Sequence, residues 1–189
     1  MLKSTIKMNN NVVKPLPSII DIEASGFGAH SYPIEIGVVR DDGARFCRLI
    51  KPIGEWSHWD EGAEKLHGIS RQKLEQYGSP AIEVCLALNE FVGQRTLHSD
   101  GWVVDSPWIN KLYASVGCHV QFRLSPLESL LSEQHLLRWD TVKEGVSLEF
   151  GGSRHRASVD AMIVQQTFVR VMNSVAQQRV LRATQQLAN

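Results

Sequence analysis

Asp21 and Glu23 stand two residues apart in the run Ser18-Ile19-Ile20-Asp21-Ile22-Glu23, where apolar residues fill most other positions. An extended chain turns residues two apart toward the same face, so the two carboxylates project together. Like charges held side by side in a low-dielectric setting repel strongly unless a cation joins them. Hard divalent ions such as Mg2+ and Mn2+ take oxygen ligands of this kind. The competing reading is a strand end whose acids face water. Asp160 is a third acid of interest, because it lies four residues before Val164 on the stripe Val164, Phe168, Val171, Met172 and Val175. That spacing aims it inward, one helical turn ahead of the stripe. An exposed acid in a first turn would be explained by the helix dipole alone, whereas an inward one favours a ligand. His155 precedes Asp160 by five residues, after the Gly151-Gly152 break and between Arg154 and Arg156. An imidazole titrating near ~6.5 is suited to accept a proton from water at neutral pH. Asp105 falls just ahead of an expected helix start at Ser106-Pro107, where an acid serves as a cap or as a ligand. Asp100, at the end of a short expected strand, is the alternative third acid.

These side chains need a scaffold, and the chain supplies signals for one. Ser18–Glu23, Ile34–Val39 and Ala44–Ile50 read as strands, the last two joined by the tight turn Asp41-Asp42-Gly43. Short connections make these three an antiparallel meander. Glu61–His67 and Gln72–Gln76 read as short helices, and Ser79-Pro80 opens a longer one with Ile82, Leu86 and Val92 along one side. A strand is expected around Arg95–Ser99, a helix from Ser106-Pro107 to Gly117, and a last strand over Val120–Leu124. From about Ser125 the chain reads as helical, apart from the glycine break. This order predicts an α/β protein with a mixed sheet of about five strands flanked by helices.

The chain has 189 residues, 43% of them hydrophobic, with 20 basic and 20 acidic side chains and no formal net charge. The length suits one domain. Neutrality excludes a protein that coats duplex nucleic acid by charge alone, since such a protein is clearly basic. No run approaches the ~20 apolar residues of a membrane span, and the first residues lack the apolar segment of a secretory signal. Cys47, Cys85 and Cys118 are scattered and odd in number, which suits a reducing, cytoplasmic setting better than a disulfide framework. Trp56, Trp59 and Trp102 either form an exposed apolar surface or fill the core.

In this order the acids and the histidine resemble the DEDDh branch of the 3′–5′ exonucleases, the group of ribonuclease T and of the proofreading subunit of bacterial DNA polymerase III. Asp21-Ile22-Glu23-Ala24-Ser25-Gly26-Phe27 looks like the first motif of that group. His155-Arg156-Ala157-Ser158-Val159-Asp160-Ala161 looks like the third, H-x₄-D, and Lys65-Leu66-His67-Gly68-Ile69-Ser70 is similar to its H-G-I-[ST] segment. Asp105, ahead of a helix with Trp108, looks like the second motif, although His98-Ser99-Asp100 and a longer gap replace the commoner H-N-x-x-F-D. The likeness covers residues 18–172.

The resemblance implies a ribonuclease H-like fold and two Mg2+ or Mn2+ ions held by Asp21, Glu23, Asp105 and Asp160, with His155 as general base. It implies hydrolysis of single-stranded DNA or RNA from the 3′ end to nucleoside 5′-monophosphates, with Gly26 and Phe27 against the terminal bases and His67 near the terminal sugar. Phe27 and His67 each also have a purely structural reading. The expected organisation is a lead-in over 1–17, an exonuclease domain over 18–175 and a helical extension over 176–189. Relatives of this kind often form homodimers, and none of these features calls for a membrane. The alternative is a weak or inactive nucleic-acid-binding or interaction module on the same fold.

Overall fold

A computed structural model describes residues 16–151 and 155–187. The lead-in expected over 1–17 lies almost wholly outside the described residues, as do Gly152 and Arg154. Strand β1 (Ser18–Ala24) lies at the centre of a five-stranded sheet of order β3-β2-β1-β4-β5, with β2 at Pro33–Val39, β3 at Arg45–Leu49, β4 at Thr96–Ser99 and β5 at Arg123–Pro126. β1, β2 and β3 pair antiparallel, while β1–β4 and β4–β5 pair parallel, which makes the sheet mixed. The meander is local: Arg40 closes the turn to Ala44, and Gly43 takes φ +83°, a conformation that side chains beyond glycine rarely adopt.

Alternation along β1 divides the core in two. Ile20 and Ile22 join the larger cluster, packed beneath α3 (Ala81–Val92) and α4 (Trp102–Ser115). Ile19 joins a second cluster formed with Val164 and Phe168 of α6 (Ala157–Leu187). By the same period of two, Asp21 and Glu23 share the face of Ile19. They therefore point toward the layer that carries Asp160. Two shorter helices, α1 (Glu61–His67) and α2 (Arg71–Tyr77), are capped by Asp60 and Ser70, whose side chains accept the amides of Ala63 and Lys73. α5 (Glu133–Glu149) packs against α6, which runs through residue 175 without interruption.

Three local expectations change. α4 begins at Trp102, so Asp105 stands in its first turn and Pro107 inside it. Pro107 is the sixth residue of this helix and brings no amide to the Val103 carbonyl one turn back, so the helix gives up one backbone bond there. The last strand is Arg123–Pro126, placed by pairing with Thr96–Ser99. On α3 the inward stripe is Ala81, Val84, Cys85, Leu88 and Val92, which leaves Ile82 and Leu86 exposed. Trp56 is buried and stacks on Tyr32 at 5.0 Å, Trp59 packs against the core, and Trp102 stays exposed. The three cysteines are free thiols. Among the described residues no helix is long and apolar enough to cross a membrane.

Gly37 of β2 explains how α6 comes so close to the sheet. A Cβ there would sit 2.1 Å from the Ala157 carbonyl carbon and 2.2 Å from the Ser158 nitrogen. Backbone cannot yield as a flexible side chain does, so Gly37→Ala is expected to destabilise by about 3 kcal/mol. Thermal melts should then fall by about 6–12 °C at 2–4 °C per kcal/mol; an unchanged melting temperature would show that α6 is free to move away.

Candidate active site

Asp21, Glu23 and Asp160 each bring one carboxylate oxygen to within 4.8 Å of the others. β1 supplies the first two from one face, and the first turn of α6 supplies the third. Asp160 Oδ2 also accepts the His155 amide at 2.8 Å, tying the loop before α6 to the acidic cluster. His155 adopts φ +66°, unusual for a residue with a Cβ and sustained only where neighbouring bonds hold it.

Asp21 and Glu23 open onto a cleft of about 540 Å³ that Asp105, His155, Gly26, Phe27 and His67 also line. Asp105 is 3% exposed and accepts a hydrogen bond from the Ser99 hydroxyl. Asp100 instead forms an ion pair with Lys143 at 2.5 Å and lines a different pocket, with Leu127, Leu131 and Trp139. The cleft wall beside Asp21 and Glu23 is thus built with Asp105 and without Asp100.

Like charge accumulates here with little relief. Burial raises the Asp21 carboxyl well above its usual range, and the charges of Asp105, Glu23, Asp160 and Asp100 push the same way. Glu23 is raised to about 7 by burial, then by Asp160, Glu35 and Asp105, with Arg156 opposing. Asp105 is raised to about 7 by burial, with the Ser99 hydrogen bond pulling it down. Asp21, Glu23 and Asp105, destabilised in their charged forms and lining one cleft, form with the adjoining Asp160 the donor set that a hard divalent cation stabilises.

Gly26 takes φ +142°, and a Cβ there would meet His58 at 2.7 Å and Asp60 at 2.8 Å, so only glycine fits this turn. Phe27, just after it, is 75% exposed, which removes the reading of a core residue under the loop. Its ring lies 6.3 Å from that of Trp108. The loop is pinned from α4: the Trp108 indole donates to Ser31 Oγ at 3.0 Å, and Lys111 Nζ donates to the Ala29 carbonyl at 3.0 Å. His67 is 5% exposed, and its Nδ1 accepts the Ile69 amide at 3.0 Å. The proton of the neutral ring therefore sits on Nε2, which is buried without a partner among the described residues. Burial lowers the His67 pKa, which keeps that ring neutral.

Sequence reasoning did not single out Ser99, Lys143 or Glu35. Ser99 and Lys143 carry no signal beyond ordinary polar residues, but Glu35 is an acid in the otherwise apolar strand Pro33–Val39 and is fully buried.

No family model matches the chain. DNA polymerase III subunit epsilon of Aquifex aeolicus (strain VF5) is 29% identical over 183 residues, covering 90% of this chain and 87% of that protein. Among solved structures, E. coli Exonuclease I in complex with a dA16 oligonucleotide superposes with a TM-score of 0.61 over 79% of this chain at 13% identity. A second Exonuclease I structure gives a TM-score of 0.64 over 83% of this chain, also at 13% identity. The chain spans 39% and 40% of the length of those two chains, and at this identity the likeness is one of fold. The chain is thus similar along nine-tenths of its length to a DNA polymerase III epsilon subunit, it shares the five-stranded α/β fold of the Exonuclease I structures, and its motifs resemble those of the DEDDh-type 3′–5′ exonucleases.

Proposed function

We propose that the protein is a metal-dependent 3′–5′ exonuclease that hydrolyses the terminal phosphodiester of single-stranded DNA or RNA and releases nucleoside 5′-monophosphates. The observation that carries this reading is the meeting of Asp21, Glu23 and Asp160 beside a cleft that Asp21, Glu23, Asp105 and His155 line. Asp21, Glu23, Asp105 and Asp160 would hold two Mg2+ or Mn2+ ions. Bound there, such ions supply activation of the attacking water and neutralisation of charge on the leaving 3′ oxygen. His155, on the rim of the acidic cluster, takes the proton from that water as it attacks phosphorus. His67 Nε2–H, already the donor and lacking a partner among the described residues, would satisfy an oxygen of the terminal nucleotide. Phe27 presents an exposed ring to the terminal base, and the Gly26 turn carries it there. A single-stranded end fits such a surface, because stacking needs a free π-face and tolerates any base.

Product analysis on 3′-labelled and 5′-labelled DNA and RNA oligonucleotides, with Mg2+ or Mn2+ and with chelator, tests the reading. A ladder shortening from the 3′ end and abolished by chelator is expected; oligonucleotides that bind but stay uncut would leave a binding module in its place. Phe27→Ala should weaken substrate binding by about 1–3 kcal/mol. In steady-state kinetics that appears as a KM raised about 5–150-fold with kcat little changed, and an unchanged KM would remove the stacking role.

A further inference from the structure

We infer that Glu35 is a positioning residue for the proposed reaction: through Arg156 and the Ala157 amide it fixes the backbone turn that presents His155 to the cleft. This rests on the reading of His155 as the proton acceptor. Glu35 stands opposite Glu23 across the β1–β2 pairing, yet it belongs neither to the trio of converging acids nor to the lining of the cleft. Its side chain is 0% exposed, and a carboxylate so placed is sustained only by partners. Those partners converge from one segment. Arg156 Nε lies 3.1 Å from both carboxylate oxygens, Arg156 Nη2 donates to Oε1 at 2.6 Å, and the Ala157 amide donates to Oε2 at 2.9 Å. The Cys47 thiol adds a weaker contact at 3.4 Å.

Residues 155, 156 and 157 are thereby held one after another. The His155 amide is bound by Asp160, the Arg156 guanidinium and the Ala157 amide are bound by Glu35, and Gly37 leaves room for the Ala157 backbone to lie against β2. His155 has the left-handed φ of +66° that needs such support. A forked guanidinium on a carboxylate fixes direction as well as distance, which a lysine ammonium does not. Glu35 thus sets where the imidazole stands without approaching substrate. Removing it should reduce rate through geometry, as loss of an outer-shell partner does by about 10–100-fold.

The test uses the full chain with Mn2+ and single-stranded oligonucleotide. Glu35→Gln keeps the shape and one acceptor oxygen but loses the charge. Arg156→Lys approaches the same contact from a side chain that is 37% exposed, so it serves if Glu35→Gln does not fold. Each substitution is made in the wild type and in a His155→Asn background, and kcat, KM, Mn2+ affinity by titration and melting temperature are measured. The inference expects kcat lowered about 10–100-fold in the wild-type background. KM and Mn2+ affinity should stay within about twofold, and in the His155→Asn background kcat should change less than about twofold, because the positioned group is already gone. A wild-type-background kcat within twofold of normal overturns the inference. So does an equal loss in both backgrounds, or a loss that follows Mn2+ affinity. A wild-type chain that cleaves no oligonucleotide overturns the exonuclease reading, and this inference falls with it; an active wild type with a neutral Glu35→Gln removes this inference alone.

Discussion

With chelator at pH 8, Asp21→Asn is expected to raise the melting temperature, while with Mg2+ or Mn2+ restored it lowers oligonucleotide cleavage by about 10³-fold or more. The two effects have one cause. Asp21 is held among Asp105, Glu23 and Asp160 in a buried setting where its charged form is disfavoured. An amide of the same shape removes one of the repelling charges and so relieves the metal-free fold. Each kcal/mol relieved appears as about 2–4 °C in a domain of this size. The same change deletes a central oxygen donor of the proposed metal site, and activity is lost with it. Stability gained where function is lost is the general pattern for residues held in an unfavourable arrangement for chemistry.

The pH dependence has a definite sign. Glu23 is raised from 4.5 to about 7 and Asp105 from 3.8 to about 7, so the folded, metal-free protein binds more protons than the unfolded chain between those values. Their contribution to stability is therefore full below pH about 4 and is lost as pH rises through about 7. Melting temperatures in chelator should decline over that window, and added Mn2+ should restore them at pH 8, because a cation favours the ionised carboxylates. A pH-independent melt in chelator, or no Mn2+ effect at pH 8, would count against a cation site among these acids. Asp21→Asn that retains full rate would remove Asp21 from the metal assignment.

His155→Asn is expected to lower kcat by about 10²–10⁴-fold, the usual scale for a positioned general base. Asparagine is the better replacement because it accepts left-handed backbone conformations that alanine resists, and His155 has φ +66°. The loop then keeps its path and only the proton acceptor is lost. Mn2+ titration should give the wild-type affinity, since the three converging acids are Asp21, Glu23 and Asp160. His155→Ala should lose activity as well, with a further contribution from backbone relaxation. A His155→Asn rate within threefold of wild type would assign the proton to another acceptor.

Much of this site is legible in short-range pattern. The alternation Ile19, Asp21, Glu23 against Ile20, Ile22 places two acids together on one face, and the sheet turns that face toward α6. The stripe beginning at Val164 likewise sets the direction of Asp160, and the antiparallel meander follows from the Asp42-Gly43 turn. Both readings succeed because strand and helix periods are properties of the local backbone. α4 is where local signals mislead. Ser106-Pro107 has the form of a helix start, yet the helix begins at Trp102, and Asp105 becomes a buried residue of its first turn, bonded to Ser99.

By itself the sequence determined the fold class, the pairing of Asp21 with Glu23 on one face, and the inward aim of Asp160, since each depends on a backbone period of two or 3.6 residues. Tertiary structure decided which of Asp100 and Asp105 lines the cleft, because that depends on Lys143 drawing one away and Ser99 holding the other. It also decided that Phe27 stands exposed rather than in the core, and that Glu35 reaches across the fold to Arg156. Ion pairing and burial are set by which distant segments meet, and no local period encodes that meeting.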